Sequence, residues 1–269
     1  MVHFVGAGSG AVDLITLRGK RLLEEADVVV YAGSLVNKEL LAYTSKRCAC
    51  YDSARMCLEE VMKIMTEACR KGKNVVRLHT GDSSIYGAVR EQMDWLEREN
   101  IPYDVCPGVS SFCGAAASLK TELTLPEVAQ SVIITRMEGR TPVPDGQKLK
   151  DLAKHQTTMV IFLSAGMTRQ VKEALIEGGY AKTTPCAVVY KATWPEEKIV
   201  RGILDELPEM AERENITKTA LIIVGNVLGN DYALSKLYDK TFSTGFRQAV
   251  GDETFVSERK DNNVAGECL

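Results

Sequence analysis

The chain has 269 residues, long for one ordinary domain and natural for two of roughly 100–150 residues each. With 45% hydrophobic and 26% charged residues it has the composition of a globular protein, which excludes disordered, collagen-like and coiled-coil classes. Lys and Arg number 33 against 36 Asp and Glu, and the net charge of -3 comes without a basic block, so the electrostatic footprint of a nucleic-acid binder is missing.

Short β-branched runs at residues 2–5, 28–31, 75–79 and 103–106 alternate with helical patterns at 17–26, 58–70 and 86–99. That alternation predicts a parallel sheet with crossover helices. In the second helix Leu58, Val61, Met62, Met65 and Cys69 recur at three- and four-residue spacing, a stripe that reads as core. Gly72 caps that helix and Pro102 stops the third. A polar joint at 120–127 follows, then a strand at 132–135, a Pro-rich loop at 137–146 and a short helix. Next come a strand at 159–163, a helix at 168–177 closed by Gly178 and Gly179, and strands at 187–190, 199–202 and 221–224. The expected organisation is an N-terminal α/β domain over residues 1–118 with a largely parallel sheet, a C-terminal α/β domain over 119–248 with a mixed sheet, and a flexible tail at 249–269.

No apolar run approaches the roughly 18–20 residues that cross a bilayer, and Met1 to Phe4 run into a glycine loop as a buried strand does, not as a signal peptide does. The eight cysteines (Cys48, Cys50, Cys57, Cys69, Cys106, Cys113, Cys186, Cys268) are scattered through apolar segments and read as free thiols of a reducing cytoplasm. There is no CxxC pair, and His3, His79 and His155 are far apart, so no metal site is expected.

Gly6-Ala7-Gly8-Ser9-Gly10-Ala11 formally matches the dinucleotide fingerprint, in which a helix opens inside the motif and its N-terminus meets a pyrophosphate. Here Asp13 and Thr16 are the cap candidates and the amphipathic pattern starts only at Leu17. The second strand ends Val30-Tyr31-Ala32-Gly33-Ser34 without the acid that would hold a ribose. A dinucleotide-dependent oxidoreductase is therefore the alternative from another class, and a tight structural turn the plainer reading of the loop.

Four strand-end segments stand out: Leu78 to Gly87 (LHTGDSSIYG), Pro107 to Ser111 (PGVSS), Arg136 to Pro144 (RMEGRTPVP) and Tyr190 to Arg201 (YKATWPEEKIVR). Together with Gly6 to Gly10, Asp13 to Thr16, Tyr51 to Ala54 and Leu237 to Asp239, they resemble the tetrapyrrole methylases along nearly the whole chain to about residue 248. These are two-domain enzymes with the active site in the cleft between domains. The third and fourth segments are most similar to members that methylate carbon 11 of precorrin-4 or cobalt-precorrin-4 in cobalamin biosynthesis. Sister methylases of uroporphyrinogen III, precorrin-2 or precorrin-3, and a diphthamide-type protein methylase, share the fold and are the nearer competitors. A non-catalytic tetrapyrrole carrier is the further one. Three positions depart from the family pattern: Ser83 where proline is usual, Gly33 where an acid is common, and Thr244 near a usual histidine.

The resemblance implies S-adenosylmethionine as cofactor, a cytoplasmic homodimer and no metal of the protein's own. It implies cofactor-binding roles for Gly81, Asp82, Ile85, Ser110, Ser111, Phe162, Leu163, Lys191, Ala192 and Ala220. Gly6, Gly8, Gly10, Asp13, Arg136 and Arg140 are then substrate-binding candidates, with Arg77 and Lys191 behind them, because a macrocycle ringed with carboxylates needs cationic donors. Asp82 and Arg136 are positioning candidates, and no acid-base catalyst is assigned. The structural alternatives are a helix cap for Asp82, Ser110 and Ser111, an ion pair with Glu138 for Arg136 and Arg140, and packing for Trp194 and Pro195.

Overall fold

The computed structural model describes residues 1–250. Strands β1 (Val2–Gly6), β2 (Val28–Tyr31), β3 (Ala49–Asp52), β4 (Val75–His79) and β5 (Tyr103–Cys106) form a five-stranded sheet in the order β3-β2-β4-β1-β5. Every pairing in it is parallel. β2 is apolar throughout, and β2 and β4 are buried at every position, as suits strands covered on both faces. On one face Val5, Val29, Val76 and Leu78 pack with Leu23 of α1 (Leu17–Glu24). On the other Phe4, Val28, Val30 and Val75 pack with Val61, Met62 and Met65 of α2 (Leu58–Arg70) and Leu96 of α3 (Arg90–Arg98). Phe4, Met62 and Met65 are completely buried, each stabilising the fold by about 1.5–3 kcal/mol through the area removed from water.

Helix α3 begins at Arg90, four residues later than its apolar pattern suggests, because Tyr86 and Ala88 adopt left-handed backbone at φ 53° and 48°. A right-handed helix cannot run through such residues.

The second sheet contains β6 (Val132–Arg136), β7 (Thr158–Phe162), β8 (Pro185–Tyr190), β9 (Lys198–Ile203) and β10 (Ala220–Val224), ordered β6-β7-β10-β8-β9. The β6–β7 pair is parallel and the other three pairs antiparallel, giving the mixed sheet expected. One face carries Met159, Ile161, Cys186, Val188 and Ile222 against the later helices. Of these, α6 (Thr168–Glu177) contributes Val171 and Leu175 and α7 (Leu207–Arg213) contributes Leu207 and Met210, while the short α5 (Leu149–Leu152) adds Leu149. The opposite face, with Val160, Ala187, Val189, Leu221 and Ile223, is covered by Ala115 and Leu119 of α4 (Ser111–Leu119). The chain thus leaves the first sheet at β5 and lays its next helix on the second, where Arg201 donates to the Leu119 carbonyl and Ser118 donates to Glu197.

Met1 to Tyr232 form one compact unit and residues from Ala233 a second. The second has a helical turn at Lys236–Tyr238, and the Arg247 guanidinium donates to the carbonyls of Leu237 (2.9 Å), Asp239 (2.6 Å) and Phe242 (3.3 Å). Most of the tail read at 249–269 lies outside the described residues.

At the carboxyl ends of β1, β4 and β5 three loops meet without side chains between them. A Cβ on Gly108 would lie 2.2 Å from the Gly81 carbonyl and 2.7 Å from Gly6 Cα, and one on Gly6 would lie 2.6 Å from the Gly108 amide. Gly8 and Gly81 exchange backbone hydrogen bonds of 3.2 and 2.8 Å. Gly108→Ala is accordingly expected to cost about 2–4 kcal/mol, because backbone cannot move aside cheaply. Gly72→Ala, at φ 72° with open space around it, should cost only about 1 kcal/mol. Urea unfolding of the two variants checks the ordering.

Candidate functional site

A cavity of about 450 Å³ opens between the carboxyl ends of the first sheet and the β7, β8 and β10 ends of the second. From the first half its wall takes Ser9, Ser34, Leu35, Thr80, Gly81, Asp82, Ile85, Tyr86, Ser110 and Ser111. The second half contributes Phe162, Leu163, Ala165, Gly166, Val189, Lys191, Ala192, Trp194 and the run Thr217 to Leu221. All ten residues expected to hold a cofactor line this one cavity.

Asp82 reaches it from the turn after β4. One carboxylate oxygen accepts from the Ser84 amide at 2.8 Å and from the Ser84 hydroxyl, and the other accepts from the Gly108 amide at 2.8 Å. The acid therefore closes its own turn, as the capping alternative has it, and also fastens the β4 loop to the β5 loop. Burial pushes its pKa up, but the Ser84 hydroxyl and the Gly108 and Ser84 amides outweigh that and hold it below the usual aspartate value. Ser110 is buried and its side chain makes no cap to α4, so the capping reading does not account for that hydroxyl.

Four non-glycine residues of the wall have left-handed backbone: Tyr86 (φ 53°), Leu163 (φ 53°), Lys191 (φ 45°) and Thr219 (φ 56°). Such conformations are held only where the surroundings over-determine them, and they concentrate at ligand sites. Leu163 is 65% exposed at the end of β7 and presents an apolar side chain on the cavity wall. The Tyr86 and Phe162 rings meet across the two halves with centroids 5.4 Å apart. Burial raises the Tyr86 pKa while the nearby Arg136 charge pulls it down. Lys191 extends over the Trp194 ring at 5.1 Å and pairs with Glu196 at 3.5 Å.

The six substrate candidates lie elsewhere. Gly6, Gly8 and Gly10 are absent from the wall and serve close packing, while Ser9 between them is on it. A Cβ on Gly10 would lie 2.0 Å from the Trp194 ring, and one on Gly8 2.6 Å from the Leu14 carbonyl. The loop is also stitched to the second half, since Thr193 Oγ1 bonds Ser9 Oγ at 3.0 Å and accepts from the Ala11 amide at 3.1 Å. Asp13 is exposed in a short helical turn off the wall, and Thr16, not Asp13, caps α1 by accepting from the Gly19 amide. Arg136 donates to the carbonyls of Met137 (3.3 Å), Thr141 (3.2 Å) and Pro142 (2.7 Å), holding its own loop where an ion pair with Glu138 was the alternative. Arg140 is exposed.

Sequence reasoning missed Ser34, Leu35, Thr80, Tyr86, Ala165, Gly166, Val189, Thr217 to Thr219 and Leu221 as wall residues. Thr80 and Tyr86 fall inside the Leu78–Gly87 segment, and their place in it is the signal that could have found them. Thr217 to Thr219 carry no motif, and only the return of the chain before β10 brings them in. Among the described residues no group of three His, Cys, Asp or Glu is placed to hold a metal, and no helix is long and apolar enough to cross a membrane.

Residues 1–208 match the family model of the tetrapyrrole (corrin/porphyrin) methylases. The chain is 58% identical to a cobalt-precorrin-4 C(11)-methyltransferase of Methanocaldococcus jannaschii, over 92% of this chain and 96% of the relative. A solved cobalt precorrin-4 methyltransferase, CbiF, superposes with a TM-score of 0.83 at 47% identity, covering 85% of this chain and 96% of its own. A Thermus thermophilus uroporphyrin-III C-methyl transferase complexed with S-adenosyl homocysteine superposes at 0.71 with 28% identity, covering 85% and 93%.

Because the folded pKa of Asp82 is depressed, its clamp contributes stability that is full above the ordinary aspartate value of about 4 and is lost as pH falls through the folded pKa. Asp82→Asn should thus be less stable than the parent at pH 7, and the difference should shrink on acidification below about pH 4. Parallel thermal melts from pH 7 to pH 3, with exchange rates of the Ser84 and Gly108 amides, check it.

Proposed function

The chain belongs to the tetrapyrrole (corrin/porphyrin) methylase family, and on that premise we propose that it methylates carbon 11 of precorrin-4 or cobalt-precorrin-4 with S-adenosylmethionine. The observation that carries the reading is the cavity between the two sheets, whose wall joins the Leu78–Gly87 and Pro107–Ser111 segments of the first half to the Tyr190–Arg201 segment of the second. The names of the 58% identical relative and of the solved CbiF support the carbon-11 reaction and favour the cobalt-bearing substrate. The cavity volume of about 450 Å³ falls in the range of small-ligand clefts, roughly 300–1,000 Å³.

The residues suit the cofactor. Ile85, Phe162, Leu163, Val189 and Ala192 form apolar walls for a purine and ribose, and the Ser110 hydroxyl and strand-end backbone supply polar partners. Asp82 enters this reading as a positioning residue, since its carboxylate oxygens already tie the Gly81 turn to the Gly108 loop. When bound, S-adenosylmethionine supplies a methyl group on a sulfonium, already a strong electrophile. What remains for the protein is alignment of the accepting carbon and exclusion of water, and rigid loop ends with apolar walls do both. The division of labour we propose gives residues 1–118 the substrate trough and part of the cofactor site, 119–248 the rest, and leaves 249–269 as a tail. Gly6, Gly8, Gly10 and Asp13 would edge the trough from outside the cavity wall, with Arg136 and Arg140 as cationic neighbours. A cytoplasmic homodimer completes the proposal.

Calorimetric titration with S-adenosylhomocysteine is expected to give saturable binding and a parallel titration with NADH none; the reverse pattern would return the glycine loop to a dinucleotide role. Incubation with labelled S-adenosylmethionine and cobalt-precorrin-4 should label the macrocycle at carbon 11, and transfer only to uroporphyrinogen III would sink the assignment. Asp82→Ala should weaken cofactor binding more than substrate binding, by about tenfold for loss of charge-assisted hydrogen bonds.

A further inference from the structure

Arg77 and His79 occupy alternate positions of β4 and so share the face covered by α2 and α3. Both are more than nine-tenths buried. Arg77 Nε donates to Gln92 Oε1 at 3.0 Å and Nη1 to the Val30 carbonyl at 3.2 Å, which leaves Nη2 without a protein partner among the described residues. No carboxylate of those residues lies within 4.0 Å of the guanidinium. His79 Nε2, beside it, is buried without any hydrogen-bond partner. Burial lowers the Arg77 pKa only to about 10, so the group stays cationic at neutral pH, while burial and the Arg77 charge push His79 down to about 3 and keep the imidazole neutral.

A buried guanidinium without a counter-charge and a buried imidazole nitrogen without a partner are both costly, by several kcal/mol for the ion. Both residues line a second cavity of about 260 Å³. It shares Leu35, Thr80, Ile85 and Tyr86 with the main cavity, so the two spaces meet at one wall. Glu91, a carboxylate on the same wall, is exposed and is not paired with Arg77.

We propose that this second cavity is a subsite for a carboxylate of a bound ligand, received by Arg77 Nη2 with His79 as the neutral hydrogen-bonding neighbour. The inference rests on the function proposed above, which supplies two sources of that group: a side arm of the macrocycle and the methionine end of the cofactor. Either would provide the counter-charge that the fold itself withholds from Arg77.

Arg77→Gln separates them. If a macrocycle arm is the occupant, KM for cobalt-precorrin-4 rises about ten- to a hundredfold while the Kd of S-adenosylhomocysteine stays within twofold. If it is the methionine end, the Kd of S-adenosylhomocysteine rises by that factor while the Kd of methylthioadenosine, which lacks the amino acid, does not. Cys57→Leu narrows the same cavity from its exposed rim and leaves both Arg77 hydrogen bonds in place. It should move the same constant as Arg77→Gln, and an effect of Arg77→Gln alone would make the residue a strut and overturn the subsite. Unchanged Kd and KM in Arg77→Gln, beside a parent enzyme that turns over, would overturn the subsite alone. A parent that binds no S-adenosylhomocysteine and labels no tetrapyrrole would overturn the function and the subsite together.

Discussion

The architecture of the cleft depends on how closely three backbone loops can approach at Gly6, Gly81 and Gly108. Parallel pairing sets β1, β4 and β5 so that their carboxyl ends emerge side by side, and their loops must then diverge or interlock. Here they interlock, because a side chain on Gly6 or Gly108 would strike main chain, and Gly81 turns in left-handed backbone at φ 59°. Asp82 completes the junction by accepting from the Gly108 amide. Of the three glycines only Gly81 reaches the cavity wall, beside Asp82, Ser110 and Ser111, so the Gly6 and Gly108 contacts fix from behind the loops that form that wall. The ends of parallel strands are where α/β sheets place ligands generally, and the junction turns that tendency into a surface of fixed shape.

The opposite wall is built differently. Leu163, Lys191 and Thr219 leave β7, leave β8 and precede β10 in left-handed backbone, each at a cost of order 1–3 kcal/mol. The antiparallel pairing of β10 with both neighbours makes the strain tolerable: the Lys191 amide donates to the Thr219 carbonyl at 2.9 Å, so two strained residues hold one another. One half of the site is thus shaped by absent side chains, the other by present ones in uncommon conformations. The halves are joined where Thr193 bonds Ser9 and where Trp194 takes the space beside Gly10.

Much of this was readable from sequence, and the reason is specific. Short β-branched runs and three- and four-residue apolar spacing are local signals, so β2, β4, β5, α2 and α6 appear in the structure with the bounds their patterns give. The cofactor candidates came from segments at strand ends, and strand ends are where both sheets meet the cavity. What sequence could not show was long-range. The left-handed Tyr86 and Ala88 that delay α3 look like helix formers in one dimension. Helix α4 follows the first sheet in the chain and covers the second in space. Arg136 has the composition of a ligand-facing cation, yet carbonyls within six residues of it take its donors. A local pattern does not reveal which neighbour will claim a guanidinium.

The glycine loop shows the same point from the other side. Its letters fit a phosphate-binding fingerprint, and a fingerprint works only if the glycines open directly into a helix N-terminus. In this fold β1 ends at Gly6, a helical turn at Val12–Leu14 intervenes, and α1 starts at Leu17 with its Gly19 amide already taken by Thr16 Oγ1. The glycines are used instead for approach: Gly6 to Gly108, Gly8 to Leu14, Gly10 to Trp194. One residue type supports two incompatible functions, and the length of chain between the last glycine and the start of α1 separates them. The six residues 11–16 between Gly10 and α1 turn what would be an anion-binding corner into a joint between the two sheets, where Thr193 and Trp194 of the second half meet Ser9 and Gly10.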